Sequence, residues 1–109
     1  EGVVQLWTIS PKGGQPRQIT RNSWDITSAF TWSADGESIA HTMDGSVCQT
    51  LVRTGETRRL TGRGSPESIL RPEACVFSPD GPKIAYVRWV KRDGGDEANQ
   101  ICVMTLPTR

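Results

Sequence analysis

The sequence predicts an all-β fold of antiparallel four-stranded units. Three observations carry that expectation: a repeat at an offset of 45 residues, a second at an offset of 41, and turn residues spaced between short apolar runs. Phe77-Ser78-Pro79-Asp80-Gly81, followed by Lys83-Ile84-Ala85-Tyr86-Val87, matches Trp32-Ser33-Ala34-Asp35-Gly36, followed by Ser38-Ile39-Ala40-His41-Thr42. Six of the twelve positions in 29–40 and 74–85 are identical. Segments 9–20 and 50–61 repeat in the same way, sharing Gly14/Gly55, Arg17/Arg58 and Thr20/Thr61. Self-similarity over about 40–45 residues, built on strand–turn–strand signals, is the signature of propeller blades. The two offsets differ because the loop after Thr61 is longer than the one after Thr20, and loops absorb insertions at little cost.

In chain order, residues 3–10 (VVQLWTIS) are β-branched and aromatic and stop at Pro11-Lys12-Gly13-Gly14, a turn signal. Residues 16–20 read as a short edge strand, because Pro16 cannot donate to a ladder. After the loop at Asn22-Ser23, strands follow at 26–33, 39–43, 46–52 and 57–61. They are separated by turns at Ala34-Asp35-Gly36, Asp44-Gly45 and Thr54-Gly55. The cycle then repeats with a loop at 62–71, a strand at 73–78, the turn Pro79-Asp80-Gly81, and a run at 83–90 apolar enough for burial on both faces. A charged hairpin loop at 91–98 leads into a last strand at 99–106.

The turn residues have a physical role. Pro79 presets φ at the first central position, Asp35 and Asp80 bond back to the local backbone, and Gly36 and Gly81 take the positive φ that closes the hairpin. Ala34 stands where the second copy has proline, which weakens that repeat slightly. Trp32 and Phe77 before the turns, and Ile39 and Ile84 after them, are expected to face neighbouring blades. Counting strands from centre to rim gives the last two strands of one blade (1–20), a complete blade (21–61) and the first three strands of a final blade (62–109). About two and a quarter blades do not close a ring of roughly four to eight. The expected object is therefore a C-terminal wedge of a larger β-propeller, with an upstream part beyond Glu1-Gly2 and self-association through its open strand edges.

Composition narrows the function. Glycine and proline make up about 17% of the chain against roughly 12% in average usage. A net charge of +1 gives no electrostatic case for nucleic acid or an anionic membrane. No apolar run reaches the roughly 20 residues of a membrane span. Cys48, Cys75 and Cys102 are an odd set without CxxC or Cys/His spacing and read as small buried side chains. No cofactor is implied.

The blade pattern resembles the TolB-like, WD-related propeller repeat. The resemblance lies in Phe77-Ser-Pro-Asp-Gly, Lys83-Ile-Ala-Tyr, Gln100-Ile-Cys-Val-Met, Pro16-Arg-Gln-Ile-Thr and Thr57-Arg-Arg-Leu-Thr. Residues 4–20, with Asp25-Ile26-Thr27-Ser28-Ala29-Phe30 after them, resemble the C-terminal part of an uncharacterised bacterial TolB-like family related to Tol biopolymer transport. That resemblance implies a non-enzymatic scaffold for a protein or peptide partner. The alternative it implies is the propeller domain of an enzyme, of the oligogalacturonate-lyase or peptidase-gating kind. A TolB-like role implies the periplasm, whereas three unpaired cysteines point to a reducing compartment.

Candidate chemistry is sparse. His41 is the sole histidine and occupies the repeat position of Tyr86, which marks it as a strand-packing residue rather than a catalyst. Ser65, in Gly62-Arg63-Gly64-Ser65-Pro66, is off by one position from a nucleophile elbow. Asp93-Gly94-Gly95-Asp96-Glu97-Ala98-Asn99 concentrates oxygen ligands without matching an EF-hand loop, so a solvated hairpin tip is expected and no metal site. Arg58, Arg59, Arg63, Arg71 and Lys91-Arg92 read as scattered rim charges. Trp7, Trp32 and Trp89 sit in strands and are expected to pack between blades. Trp24, in a polar loop, is the candidate exposed anchor for a partner.

Overall fold

In the computed structural model the described residues are 2–64 and 68–107, with side chains described at all of these but 28, 29 and 70–74. They form nine strands and no helix: β1 (Trp7–Thr8), β2 (Arg17–Gln18), β3 (Ile26–Trp32), β4 (Ser38–Met43), β5 (Ser46–Leu51), β6 (Thr57–Arg59), β7 (Ser68–Phe77), β8 (Lys83–Lys91) and β9 (Glu97–Thr105). These make three sheets, β1-β2, β3-β4-β5-β6 and β7-β8-β9, in which every strand pairs antiparallel with its neighbour in sequence.

The two sequence repeats recur as hydrogen bonds. At the offset of 45, Ser33 N–H donates to Ser38 O and Ser78 N–H to Lys83 O, both at 2.8 Å. Gly36 and Gly81 donate to Ser33 O and Ser78 O, both at 3.0 Å. The serine hydroxyls accept from the backbone of Ser38 (3.0 Å) and Lys83 (3.1 Å). Both glycines have positive φ, 74° and 98°, as the turn requires. At the offset of 41, Leu6 N–H donates to Thr20 Oγ1 and Val47 N–H to Thr61 Oγ1, each at 3.0 Å. Ile19 N–H bonds Leu6 O (2.8 Å) as Leu60 N–H bonds Val47 O (2.7 Å).

Some boundaries differ from the expectation. β1 holds two residues, because β2, its one partner, is equally short. β7 begins at Ser68 inside the expected loop, because β8 runs to Lys91 and pairs back to it from Val90↔Ser68 to Val87↔Arg71. The register then shifts between Arg71 and Cys75, so Pro72 falls where the ladder is already interrupted. β9 begins at Glu97, which shortens the hairpin loop to residues 92–96.

The sheets stack in sequence order. On the upstream face of the four-stranded sheet, Ile26, Ile39, Met43 and Cys48 form one buried cluster with Leu6 and Ile19 of the first sheet. On its downstream face, Ala40 and Val47 join Cys75, Phe77 and Ile84 of the third. All six residues of β4 are therefore buried. β8 is not matched to it, since apart from Ile84 its residues are half-buried or exposed, against the expectation of burial on both faces. Among the described residues the third sheet is covered on one face only.

Trp7 and Trp32 are likewise half-exposed rather than packed between sheets, while Trp89 is half-buried. Phe77 and Trp32 hold the same repeat position, yet Phe77 is 8% exposed and Trp32 50%. Phe77 faces a sheet of four strands, whereas Trp32 faces a sheet that has two. The stack is correspondingly drawn out, with a radius of gyration of 15.0 Å against the roughly 13 Å of a compact chain of this length.

Two substitutions test this architecture. Because the two turns share their hydrogen bonds, Ala34→Pro should stabilise the protein by about 0.4–1 kcal/mol, seen as a higher urea midpoint at unchanged slope. A lower midpoint would show that the backbone at 34 does not match that at 79. A Cβ on Gly55 (φ 78°) would collide with the Ile19 carbonyl oxygen of the first sheet. Gly55→Ala should therefore cost about 1–3 kcal/mol; an unchanged midpoint would mean that the first sheet does not rest on this turn.

Candidate functional site

One end of the four-stranded sheet carries a cluster around Trp24. The loop bearing Trp24 is clamped on both sides. Gln5 Oε1 accepts from Thr20 Oγ1 (2.6 Å) and Asn22 N–H (3.0 Å), Gln5 Nε2 donates to Asn22 O (2.8 Å), and Asp25 Oδ1 accepts from Val4 N–H (2.7 Å). Beside it, Asp44-Gly45 joins β4 to β5 with φ of 51° and 74°, the paired positive values of a type I′ hairpin turn. That turn presents its carboxylate to two arginines from outside the hairpin. Asp44 Oδ2 accepts from Arg59 Nη2 (2.5 Å) and from Arg63 Nη2 (2.6 Å) and Nε (2.8 Å). Arg59 Nη1 also donates to Ser46 Oγ (2.7 Å) and Asp44 O (3.2 Å).

Both guanidinium groups lie over the Trp24 ring, with Cζ at 5.4 Å (Arg59) and 5.7 Å (Arg63) from its centroid. Such cation–π contacts are worth about 0.5–1 kcal/mol each at exposed sites. The hydrogen bond from Arg63, and then that from Arg59, hold the Asp44 carboxyl below the usual carboxylate range. The cluster thus stays ionised as two cations and one anion around an indole. Trp24 remains 45% exposed and the Arg63 side chain 61% exposed. This arrangement suits a ligand group that sets a carboxylate beside an apolar or aromatic side chain.

Sequence reasoning singled out Trp24 but missed Asp44, Arg59 and Arg63, which it read as a turn and as scattered charges. One signal was there. Arg59 aligns with Gln18 at the offset of 41, so an arginine at that position is not part of the repeat.

The remaining candidates lie elsewhere. His41 is fully buried on the upstream face of β4, with Nε2 2.7 Å from Thr50 Oγ1, which in turn is 2.6 Å from Thr57 Oγ1. Burial pushes its pKa down from 6.5 to about 4, against a smaller opposing pull from the Thr42 backbone. Cys48 and Cys75 are buried thiols, both raised by desolvation and Cys75 to about 11, while Cys102 is half-buried. Residues 92–96 form an exposed hairpin tip closed by Arg92 N–H to Asp96 O (2.6 Å), and Glu97 accepts from Trp89 Nε1 (3.3 Å). Among the described residues no His, Cys, Asp or Glu cluster is arranged to hold a metal, and no helix is long and apolar enough to cross a membrane. Ser65 lies outside the described residues.

Asp35 Oδ1 accepts from Ser33 Oγ (2.6 Å) and Glu37 N–H (3.0 Å), which fixes the first turn. Asp35, Asp80 and Gly81 line one cleft of about 270 Å³ with Gln49 and Arg58. There Arg58 Nε and Nη2 fork onto Gln49 Oε1 (3.0 and 2.7 Å), and Gln49 Nε2 donates to Ser38 Oγ (2.9 Å). That relay ties β6 to β4 across β5.

No protein-family model matches the chain. It is similar to the uncharacterized protein YidR of Escherichia coli (strain K12), at 43% identity over 88 residues, a match taking in 79% of this chain and 20% of that protein. The chain spans about a fifth of the length of this curated relative.

His41 makes the stability depend on pH. Its folded value lies below its unfolded one, so the unfolded chain takes up the proton first as pH falls. Stability from this group is complete above pH 6.5 and declines toward pH 4, by on the order of 3 kcal/mol in total. His41→Gln should flatten that part of the profile, whatever it does to the baseline; urea midpoints with the same slope across this window in both proteins would refute the assignment.

Proposed function

We propose that this chain is a wedge of a TolB-like β-propeller, about two and a quarter blades of it. In this reading it acts as a non-enzymatic scaffold that binds a protein or peptide of the bacterial envelope, in a role linked to Tol-type transport. The observation that supports the architectural part is the repeat whose turn and strand-end hydrogen bonds recur between stacked antiparallel sheets. The contrast between Phe77 and Trp32 supports it, because the exposed tryptophan lies where a preceding blade would supply its two inner strands. The binding part rests on the Trp24 cluster, which offers an exposed indole and a cation at the end of a rigid sheet. The buried, neutral His41 supports a scaffold rather than a catalyst, since its ring reaches no solvent.

Panning of a peptide library on the protein tests the binding reading. Peptides with an acidic residue next to an apolar one should be enriched, and Trp24→Ala or Arg63→Ala should weaken their binding at least tenfold, about 1.4 kcal/mol. Peptides that bind the Trp24→Ala variant equally well would remove the cluster from the proposal.

A further inference from the structure

We propose that the Trp24 site continues across Gly64 onto Arg88 of the third sheet, so that the peptide it takes carries two acidic residues. One meets Arg63 beside Trp24, and Arg88 selects for the second. The inference rests on the peptide-binding reading of the Trp24 cluster and names its ligand more closely.

Arg88 lies in β8 on the face that the third sheet turns toward the second. It is two residues beyond Tyr86, which packs against the buried cluster between those sheets. At the offset of 45 it stands where the second sheet has Met43, which is 5% exposed in the core shared with the first sheet. Sheet-on-sheet packing favours an apolar side chain at that position, and β8 places a cation there instead. Arg59 departs from the repeat in the same way, standing where the first sheet has Gln18. Two arginines that the scaffold does not require thus sit at the joint between the second and third sheets.

Gly64 links them. On one side its backbone rests against the Asp44-Gly45 turn, since a Cβ on Gly45 would lie 3.7 Å from Gly64 N and 3.8 Å from Arg63 Cα. On the other side a Cβ on Gly64 would lie 3.3 Å from Arg88 Nη1 and collide with the Ser68 carbonyl oxygen. Gly64 itself is exposed. The backbone there forms a low saddle open to solvent. The Arg63 guanidinium reaches from it toward Asp44 and Trp24, and the Arg88 guanidinium lies across it.

The charges on the two sides are unequal. Arg59 and Arg63 share the Asp44 carboxylate. Arg88 is held only by a long hydrogen bond from Nη1 to Ser68 O (3.4 Å) and by the Tyr86 ring, 5.7 Å from Cζ to centroid. Among the described residues, three guanidinium groups therefore meet one carboxylate at this joint. A ligand carboxylate at Arg63 leaves Arg88 half-buried and without a counter-charge. A second acidic residue supplies it, in a position partly shielded from water by the two sheets. Because Arg63 lies between Trp24 and Arg88, the apolar residue of the peptide, its first acid and its second acid follow in that order.

Fluorescence anisotropy with labelled Gly/Ser peptides tests the assignment. One peptide carries a single Leu-Asp pair, and three others add a second Asp one, two or three residues further on. On the wild-type protein the best of the three should bind about threefold to tenfold tighter than the single-acid peptide. Salt at 1 M should erase that advantage. Arg88→Met, which installs the residue the repeat has at position 43, should remove the advantage and leave single-acid binding unchanged, while Arg88→Lys should retain part of it. Should Arg88→Met fail to fold by circular dichroism, Arg88→Gln carries the same reading. An advantage that survives loss of Arg88, or none for any placement in the wild-type protein, overturns the inference. Provided that Trp24→Ala still weakens all four peptides, that result leaves the peptide-binding reading standing. If no peptide binds, or Trp24→Ala weakens none of them, that reading itself fails and this inference falls with it.

Discussion

A sheet with apolar side chains on both faces loses least to water when both are covered, and that constraint organises this stack. The four-stranded sheet meets that constraint fully, with Leu6 and Ile19 on one side and Cys75, Phe77 and Ile84 on the other. Its central strand buries even polar side chains, Ser38, His41 and Thr42, at 2% exposure or less. Burial of that kind is tolerated because hydroxyl groups and the Nε2 of the imidazole find partners on β3 and β5, as His41 Nε2 does in Thr50 and Thr42 in Thr27. The outer sheets rest on this one and have no core of their own. Dispersion and apolar burial are therefore concentrated at two sheet-to-sheet contacts, with turns and hairpins serving to present the faces.

The Trp24 cluster is a by-product of the same stacking. Trp24 comes from the connection between the first and second sheets, Arg63 from that between the second and third, and Asp44 and Arg59 from the sheet between them. Its geometry depends on the successive sheets holding their positions, which Gln5, Asp25 and the I′ turn secure locally. A surface built from three connections is more specific than any one loop, because altering one sheet's position would separate the ring from its cations.

What the sequence made legible was local. Alternating apolar residues and the Ser-x-Asp-Gly turn depend on neighbours in the chain, so strands, turns and repeat offsets could be read directly. Exposure could not be read in that way. Trp32 and Phe77 are equivalent by every local criterion, and what separates them is the number of strands in the sheet opposite. The start of β7 was hidden because its partner strand β8 determines it, through pairs such as Ser68↔Val90, while Pro72 suggests a loop. Trp24 was visible as an aromatic in a polar loop. Its arginine neighbours were not, since residues 24, 59 and 63 meet only when the connections cross one end of the sheet.

Gly55 and Gly64 carry a geometric consequence. A side chain on Gly55 would run into the Ile19 carbonyl of the first sheet, and one on Gly64 into the Ser68 carbonyl of the third. The two glycines sit at the two joints of the stack and act as spacers of minimum thickness. They set the pitch of the array, the distance and tilt from one sheet to the next. Across three stacked sheets, a small change of pitch at one joint shifts the outer sheet relative to the other two. A pair of residues without side chains thus governs how closely the three described sheets stack.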